Sequence, residues 1–255
     1  MTYNILTGGR DSGGESRLGT IVDVIRSVAP DVLLLEECNG FELDGLRTLY
    51  QIEHELGMRS VLATADSGFH VALFLRRGRL LETRCLRREV HHAVLAATLE
   101  LDGVVLGVIG AHLCPFGGDA RLLEVQHIMR FLRERDVFVL GDLNGLSPHD
   151  ATRYQPQRWL PRRRARHVMA DGTLDTRALA ALEGAELVDV FHASGNSAAT
   201  ALTHLGVGWE DYQARIDYIL ASPAAAQRVE RAERVDGERV EAASDHYPLF
   251  VDVRL

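Results

Sequence analysis

The polar residues that could do chemistry in this chain lie where apolar runs end. Asn4 closes Thr2-Tyr3-Asn4, and Glu36-Glu37 follows Val32-Leu33-Leu34-Leu35. His112 follows Val108-Ile109-Gly110-Ala111, and Asp142 and Asn144 follow Val137-Phe138-Val139-Leu140-Gly141. Asp217 sits inside Arg215-Ile216-Asp217-Tyr218-Ile219-Leu220, and Ser244-Asp245-His246 precedes the last apolar run. Taken singly, each is an ordinary turn or cap residue. Taken together they are oxygen donors and imidazoles, with no thiol among them. Such a set suits a hard cation, Mg2+ or else Mn2+ or Ca2+, and not a structural zinc site. Histidine takes up and releases a proton near neutral pH, and a general base contributes about 10²–10⁴-fold to a rate. A buried carboxylate behind such a histidine would fix its tautomer and stabilise the imidazolium.

Strands and helices must carry these ends to one place. Strand patterns fall at 2–6, 32–36, 60–63, 70–75, 80–86, 93–99, 104–113 and 137–140, then at 187–191, 215–220, 229–235 and 248–253. Asp102-Gly103 between two of them is a strong hairpin signal. Helical stripes fall at 18–28, 41–56 and 117–134. Residues 8–14 form a Gly-rich loop. The segment 145–184 reads as mostly irregular, with a helix at about 176–182. Hairpins mixed with crossover helices predict two mixed sheets packed face to face with helices outside. The consecutive strands from 60 to 113 disfavour a doubly wound parallel sheet.

Composition removes several alternatives. All 28 basic residues are arginine, so a Walker phosphate loop and Schiff-base chemistry, both of which need lysine, are excluded. The net charge of −8 provides no whole-molecule basic field for nucleic acid. No run approaches the ~18 apolar residues of a membrane span. Cys38, Cys85 and Cys114 are too widely spaced for a zinc motif and read as buried free thiols in a reducing cytosol. No basic-then-apolar leader precedes the first strand as given, although its abrupt start leaves room for residues upstream.

In order, TYNIL, LLLEEC, GAHLCP, VLGDLNGLSP, RIDYIL and SDHYPL resemble the six motifs of the endonuclease/exonuclease/phosphatase superfamily. The resemblance runs from residue 2 to about 253. It implies one domain over 1–255 with a divergent insertion at about 145–184, in an α+β, four-layer α/β/β/α sandwich. It also implies a Mg2+-dependent phosphoesterase, here one that cuts a phosphodiester of a nucleic acid or nucleotide-like molecule. Phosphomonoesters and lipid or inositol-phosphate headgroups are alternatives within the same chemistry. The complete residue set argues against a catalytically silent binding module. No protein partner is implied, and the chain is expected to be a cytoplasmic monomer.

By position, Glu37 matches the metal-binding glutamate, Asp245 the metal-linked aspartate, and Asn4 the asparagine that supports metal and phosphate. His112 matches the phosphate-contacting histidine and Asn144 the phosphate-binding asparagine. Asp142 and His246 are the reacting pair, with the base assigned to them jointly, and Asp217 orients His246. Glu36 stands where the family usually has Gln, and would add negative charge beside the metal. His70 falls near a position that often carries a substrate-facing Asn; it is a candidate contact, with a hydrogen-bonded structural histidine as the alternative. The histidine in HLCP departs from the Asn-x-Tyr-x-Pro of exonuclease III-like repair enzymes, which lowers abasic-site repair as a reading.

Three further segments border the expected cleft. Arg158, Trp159, Arg162, Arg163, Arg164 and Arg166 could hold phosphate and stack a ring, or simply form a solvated loop. Arg10 and Arg17 are candidate phosphate contacts. Trp209 and Tyr212 precede RIDYIL as substrate-facing or packing residues.

Overall fold

The computed structural model describes residues 1–255 apart from 12, 13, 15, 133–135 and 207–212, so Trp209 and Tyr212 lie outside the described residues. Among the described residues, twelve strands form two six-stranded mixed sheets. The first contains β1 (Thr2–Asn4), β2 (Val32–Glu36), β3 (Arg59–Ala63), β4 (Val71–Leu75), β11 (Val229–Arg234) and β12 (Leu249–Val253), in the order β11-β12-β1-β2-β4-β3. The second contains β5 (Arg79–Leu86), β6 (Ala93–Leu101), β7 (Val104–His112), β8 (Val137–Asp142), β9 (Val188–Asp189) and β10 (Asp217–Ala221), in the order β5-β6-β7-β8-β10-β9. Each sheet has one parallel pair, β1–β2 and β7–β8. Parallel neighbours need a long crossover, and the helices Leu18–Val28 and Gly118–Met129 supply the two.

The sheets meet face to face. Leu34, Leu73, Leu95, Val108, Phe138 and Ile219 share the core between them. Each such side chain contributes about 1.5–3 kcal/mol when fully buried. Gly110 lets the sheets close here, because a Cβ on it would lie 2.1 Å from Leu34 Cδ1. The outer face of the first sheet packs on the helices Leu18–Val28, Arg47–Leu56 and Glu238–Ala243. The outer face of the second packs on Gly118–Met129 and Arg177–Gly184. This is the expected α/β/β/α layering.

Local chemistry explains most boundaries. Helix Leu18–Val28 ends at Ala29, which is left-handed (φ 53°), donates its N–H to Ile25 O and is followed by Pro30. Asp102 and Gly103 both have positive φ, the primed turn that suits a two-residue hairpin. The helix expected over 41–56 starts only at Arg47, because Asp44, Gly45 and Leu46 are all left-handed. Segment 145–184 is more ordered than expected, with 3-10 turns at Pro148–Arg153 and Pro156–Arg158 and a helix at Pro161–His167. The strand expected over 187–191 yields after Asp189, whose carboxylate accepts from Phe191 N and His192 N and starts a helical turn. Cys38 and Cys114 are buried free thiols, whereas Cys85 is exposed.

Trp159 is 7% exposed and packs with Leu146, Ala201, Ala214 and Ile216, so it is a core residue and not a stacking surface. Arg163 is buried as well. Burial, then the charge of Arg121, lowers the pKa of His167 to about 3. Below its ordinary value of 6.5 the unfolded chain protonates this ring while the folded chain does not. Stability held above that pH is therefore lost as pH falls toward 3. By the gap in stability between the wild type and His167→Gln, the effect can be isolated. That gap should shift by about 2 kcal/mol against the wild type between about pH 7 and pH 5. A gap independent of pH in urea unfolding would contradict this.

Candidate active site

The C-terminal ends of β1, β2, β7 and β8 carry Asn4, Glu36-Glu37, His112 and Asp142 to one edge of the sandwich. Asn4 pairs with Glu36 across β1–β2, and Asp217 pairs with Asp142 across β10–β8. Ladder partners face the same side. These residues therefore enter the mouth of the space between the two sheets. Ser244-Asp245-His246 reaches the same place just before β12, since Ser244 Oγ donates to Asn4 O at 2.6 Å. Gly141 permits the β7–β8 approach: its φ is 137°, and a Cβ there would lie 2.0 Å from Ala111 O.

Asp142 Oδ2 is the meeting point. Asn4 Nδ2 donates to it at 3.1 Å, His112 Nε2 lies 3.5 Å away and His246 Nε2 4.0 Å away. Its other oxygen accepts from Asn144 N at 2.9 Å. His246 Nδ1 lies 2.9 and 3.1 Å from the two oxygens of Asp217. Asp217 thus fixes the ring and turns Nε2 toward Asp142.

Electrostatics separates the roles of Asp142, His246 and His112. Burial and then the charge of Asp217 raise the pKa of Asp142 to about 8. Burial opposes charge on His246, but Asp217 and Asp245 outweigh it and push the ring well above its usual pKa. Burial, with His92 and His246 adding to it, holds His112 well below its usual pKa, as a neutral imidazole. The site therefore pairs a proton-holding Asp142–His246 couple with a neutral hydrogen-bonding ring.

The acidic rim fits a hard cation. Glu37 is half-buried, with Oε2 accepting from Thr7 N at 2.8 Å and Oε1 from Asn4 Nδ2 at 3.3 Å. Burial and then the nearby Asp245 raise its pKa, a crowding of acids that a bound cation would relieve. Glu37 and Asn144 are both left-handed, at φ 58° and 48°; backbone strain of this kind clusters at functional sites. Among the described residues, one group of three or more donors has all its ligand atoms within 4.8 Å: Asp142, Asp217 and His246. That group is fully buried and already paired through His246 Nδ1, whereas Glu37 and Asp245 are half-buried and reachable by a hydrated ion. The donor set of Glu37 and Asp245 suits Mg2+, which keeps several waters and takes one or two carboxylates.

Some expected residues stand differently. Glu36 adds no charge to the rim: it is fully buried, accepts from Thr2 Oγ1, and burial drives its pKa well above the usual carboxyl range. Asn4 turns its amide nitrogen, not its oxygen, to Glu37 and Asp142, while Oδ1 accepts from Leu6 N at 3.1 Å. It orients acids and presents no oxygen to a metal in this arrangement. His70 makes structural bonds, its Nδ1 accepting from Ala65 N at 2.9 Å and its Nε2 lying 2.8 Å from Glu42 Oε2. Asn144 Nδ2 donates to Leu113 O at 3.0 Å, so that bond also ties Asn144 to the end of β7. Arg10 is exposed and donates to Thr48 Oγ1 at 3.3 Å.

Two positioning residues carry no motif. Arg17 is 7% exposed and donates to the carbonyls of Ile5, Leu6 and Ala243, so it ties the segment after Asn4 to the one before Ser244 and is not placed to meet phosphate. Thr200 Oγ1 accepts from Ile216 N and Asp217 N, each at 3.0 Å, and so holds the backbone of Asp217. A lone threonine in a loop gives no sequence signal, and a buried arginine looks like any other.

This arrangement is a deoxyribonuclease I-like α+β fold. The chain belongs to the Endonuclease/Exonuclease/phosphatase family, whose model matches residues 1–246. Among solved structures, an AP endonuclease from Archaeoglobus fulgidus is 18% identical, with a TM-score of 0.72 over 100% of this chain and 98% of that one. The 3′ phosphatase NExo from Neisseria, solved bound to a product DNA hairpin, is 20% identical, with a TM-score of 0.73 over 100% and 98%. A humanized TDP2 of D. rerio is 16% identical, with a TM-score of 0.68 over 98% and 96%. At these identities the likeness is one of fold. No curated protein matches the chain in sequence. No helix among the described residues is long and apolar enough to cross a membrane.

Proposed function

We propose that the chain is a divalent-metal-dependent phosphodiesterase that hydrolyses a nucleic-acid or nucleotide-like diester by attack of water. The observation that carries this reading is the convergence of His112 and the Asp217-held His246 on Asp142 Oδ2, beside half-buried Glu37 and Asp245. A cation at Glu37 and Asp245 would neutralise charge that builds on the phosphate. The Asp142–His246 couple takes the proton of the attacking water as the new P–O bond forms. The proton that the couple already holds passes to the leaving oxygen as its own P–O bond breaks. Asp217 holds His246 in the required tautomer. Neutral His112 offers its Nε2–H to a non-bridging phosphate oxygen, and Asn144 stands beside it. Asn4 keeps Glu37 and Asp142 in register.

Two structural neighbours, an AP endonuclease and a 3′ phosphatase solved with a DNA product, favour nucleic acid over a headgroup. The second also keeps a phosphomonoesterase reading open. Initial rates on bis-p-nitrophenyl phosphate and p-nitrophenyl phosphate, each with Mg2+ or Mn2+, separate the two. The diester should be hydrolysed faster; turnover of the monoester alone would replace this reading by the second.

A further inference from the structure

Beyond His112, a row of rings leads away from the reacting site. His112 lies 4.1 Å from His92 between ring centroids, His92 lies 4.5 Å from His91, and His91 meets Phe116 edge-on at 5.1 Å. The Arg166 guanidinium lies over the Phe116 ring, 5.9 Å from its centroid. The inner rings, His112 and His92, are buried; the outer ones are open, with His91 exposed and Phe116 60% exposed.

A lone exposed phenylalanine would need no explanation. This one is held by design of its surroundings. Three separate segments carry His91, Phe116 and Arg166, and two buried charged side chains of helix Gly118–Met129 fix all three. Glu124, 4% exposed, accepts from His91 N at 2.6 Å and from Cys114 N at 2.8 Å. Arg121, 1% exposed, donates to Cys114 O at 3.1 Å and to Arg166 O. Burying such groups is costly unless they are paired and hydrogen-bonded. Here their bonds fix the backbone that presents the rings.

We propose that His91, Phe116 and Arg166 form a stacking subsite for a nucleobase of the substrate, displaced along the strand from the phosphate that is cut. An open aromatic face takes any base because every base has a π-face. Arg166 adds a planar cation that can lie over a base or meet a phosphate. A lipid or inositol headgroup has no flat aromatic ring to fill this place. The subsite rests on the phosphodiesterase reading for the chemistry at His112, but its binding needs no turnover.

The test is fluorescence anisotropy with a labelled single-stranded oligodeoxynucleotide and Mg2+, in a His246→Ala parent that does not cut it. Phe116→Ala should weaken binding by about 5- to 100-fold, while Phe116→Trp should retain it. Abasic units placed one at a time along the strand should reveal one position at which the loss caused by Phe116→Ala largely vanishes. Unaltered binding by Phe116→Ala, an equal loss on a fully abasic strand, or no binding of any strand by the folded parent overturns the subsite. If wild type hydrolyses the strand while Phe116→Ala binds normally, only the subsite fails. If Phe116→Ala weakens binding but wild type hydrolyses no phosphate ester, only the phosphodiesterase reading fails.

Discussion

Replacing His246 with alanine should lower kcat on bis-p-nitrophenyl phosphate by about 10²–10⁴-fold, the contribution of a positioned general acid–base. The effect is large because the ring links Asp217 to Asp142 in the couple that moves the proton. His246 Nε2 is 4.0 Å from Asp142 Oδ2, and Nδ1 is 2.9 Å from Asp217 Oδ2. Asp217→Asn should lose much of the same activity, because an amide no longer favours the tautomer or the charge. The double variant should lose little more than either alone, since groups that act as a unit are non-additive. Single-turnover rates on all three variants check this, with circular dichroism to establish folding. Independent, multiplicative losses would contradict a coupled pair.

Arg215→Ala should destabilise the fold by about 3–5 kcal/mol, the usual result of leaving buried partners of an ion pair uncompensated. Arg215 is 2% exposed in its side chain and donates to Asp150 Oδ2 at 2.7 Å and Asp189 Oδ2 at 2.6 Å, both carboxylates being equally buried. Its guanidinium also stacks on the Tyr218 ring at 4.7 Å. These contacts bind the turn Pro148–Arg153 and the cap of Val190–Ala193 to the segment that carries Asp217 two residues later. Urea unfolding measures the loss; a change below about 1 kcal/mol would show that the network is not needed. Arg215→Met should recover little, because it fills volume but leaves Asp189 without its cation and Asp150 with Arg153 alone, at 3.4 Å.

The reacting residues were legible because each interrupts an apolar run at a strand end, and a sheet delivers strand ends to an edge. Asp142 and Asp217 could be matched by motif, and the ladder then pairs them directly. Depth was not legible. Glu36 reads as a charge beside Glu37, but strand alternation turns it inward under Thr2, where burial disfavours its charged form. Trp159 among arginines reads as a stacking surface, but its indole fills the small core beneath residues 145–184. Arg17 reads as a phosphate contact until three backbone carbonyls are seen to claim it. The first part of the expected helix over 41–56 failed for a local reason, three consecutive left-handed residues in Asp44-Gly45-Leu46. Helix Glu238–Ala243 was missed because its short apolar face is completed by distant segments, the helix Leu18–Val28 among them.

The most direct test of metal-dependent phosphoester hydrolysis is release of p-nitrophenol from bis-p-nitrophenyl phosphate by the folded chain. It is measured with Mg2+ or Mn2+, then with a chelator, then with the cation restored. The expected result is turnover that the chelator abolishes and the cation recovers. A folded chain, supplied with either cation, that releases no p-nitrophenol from the diester or from p-nitrophenyl phosphate would contradict it.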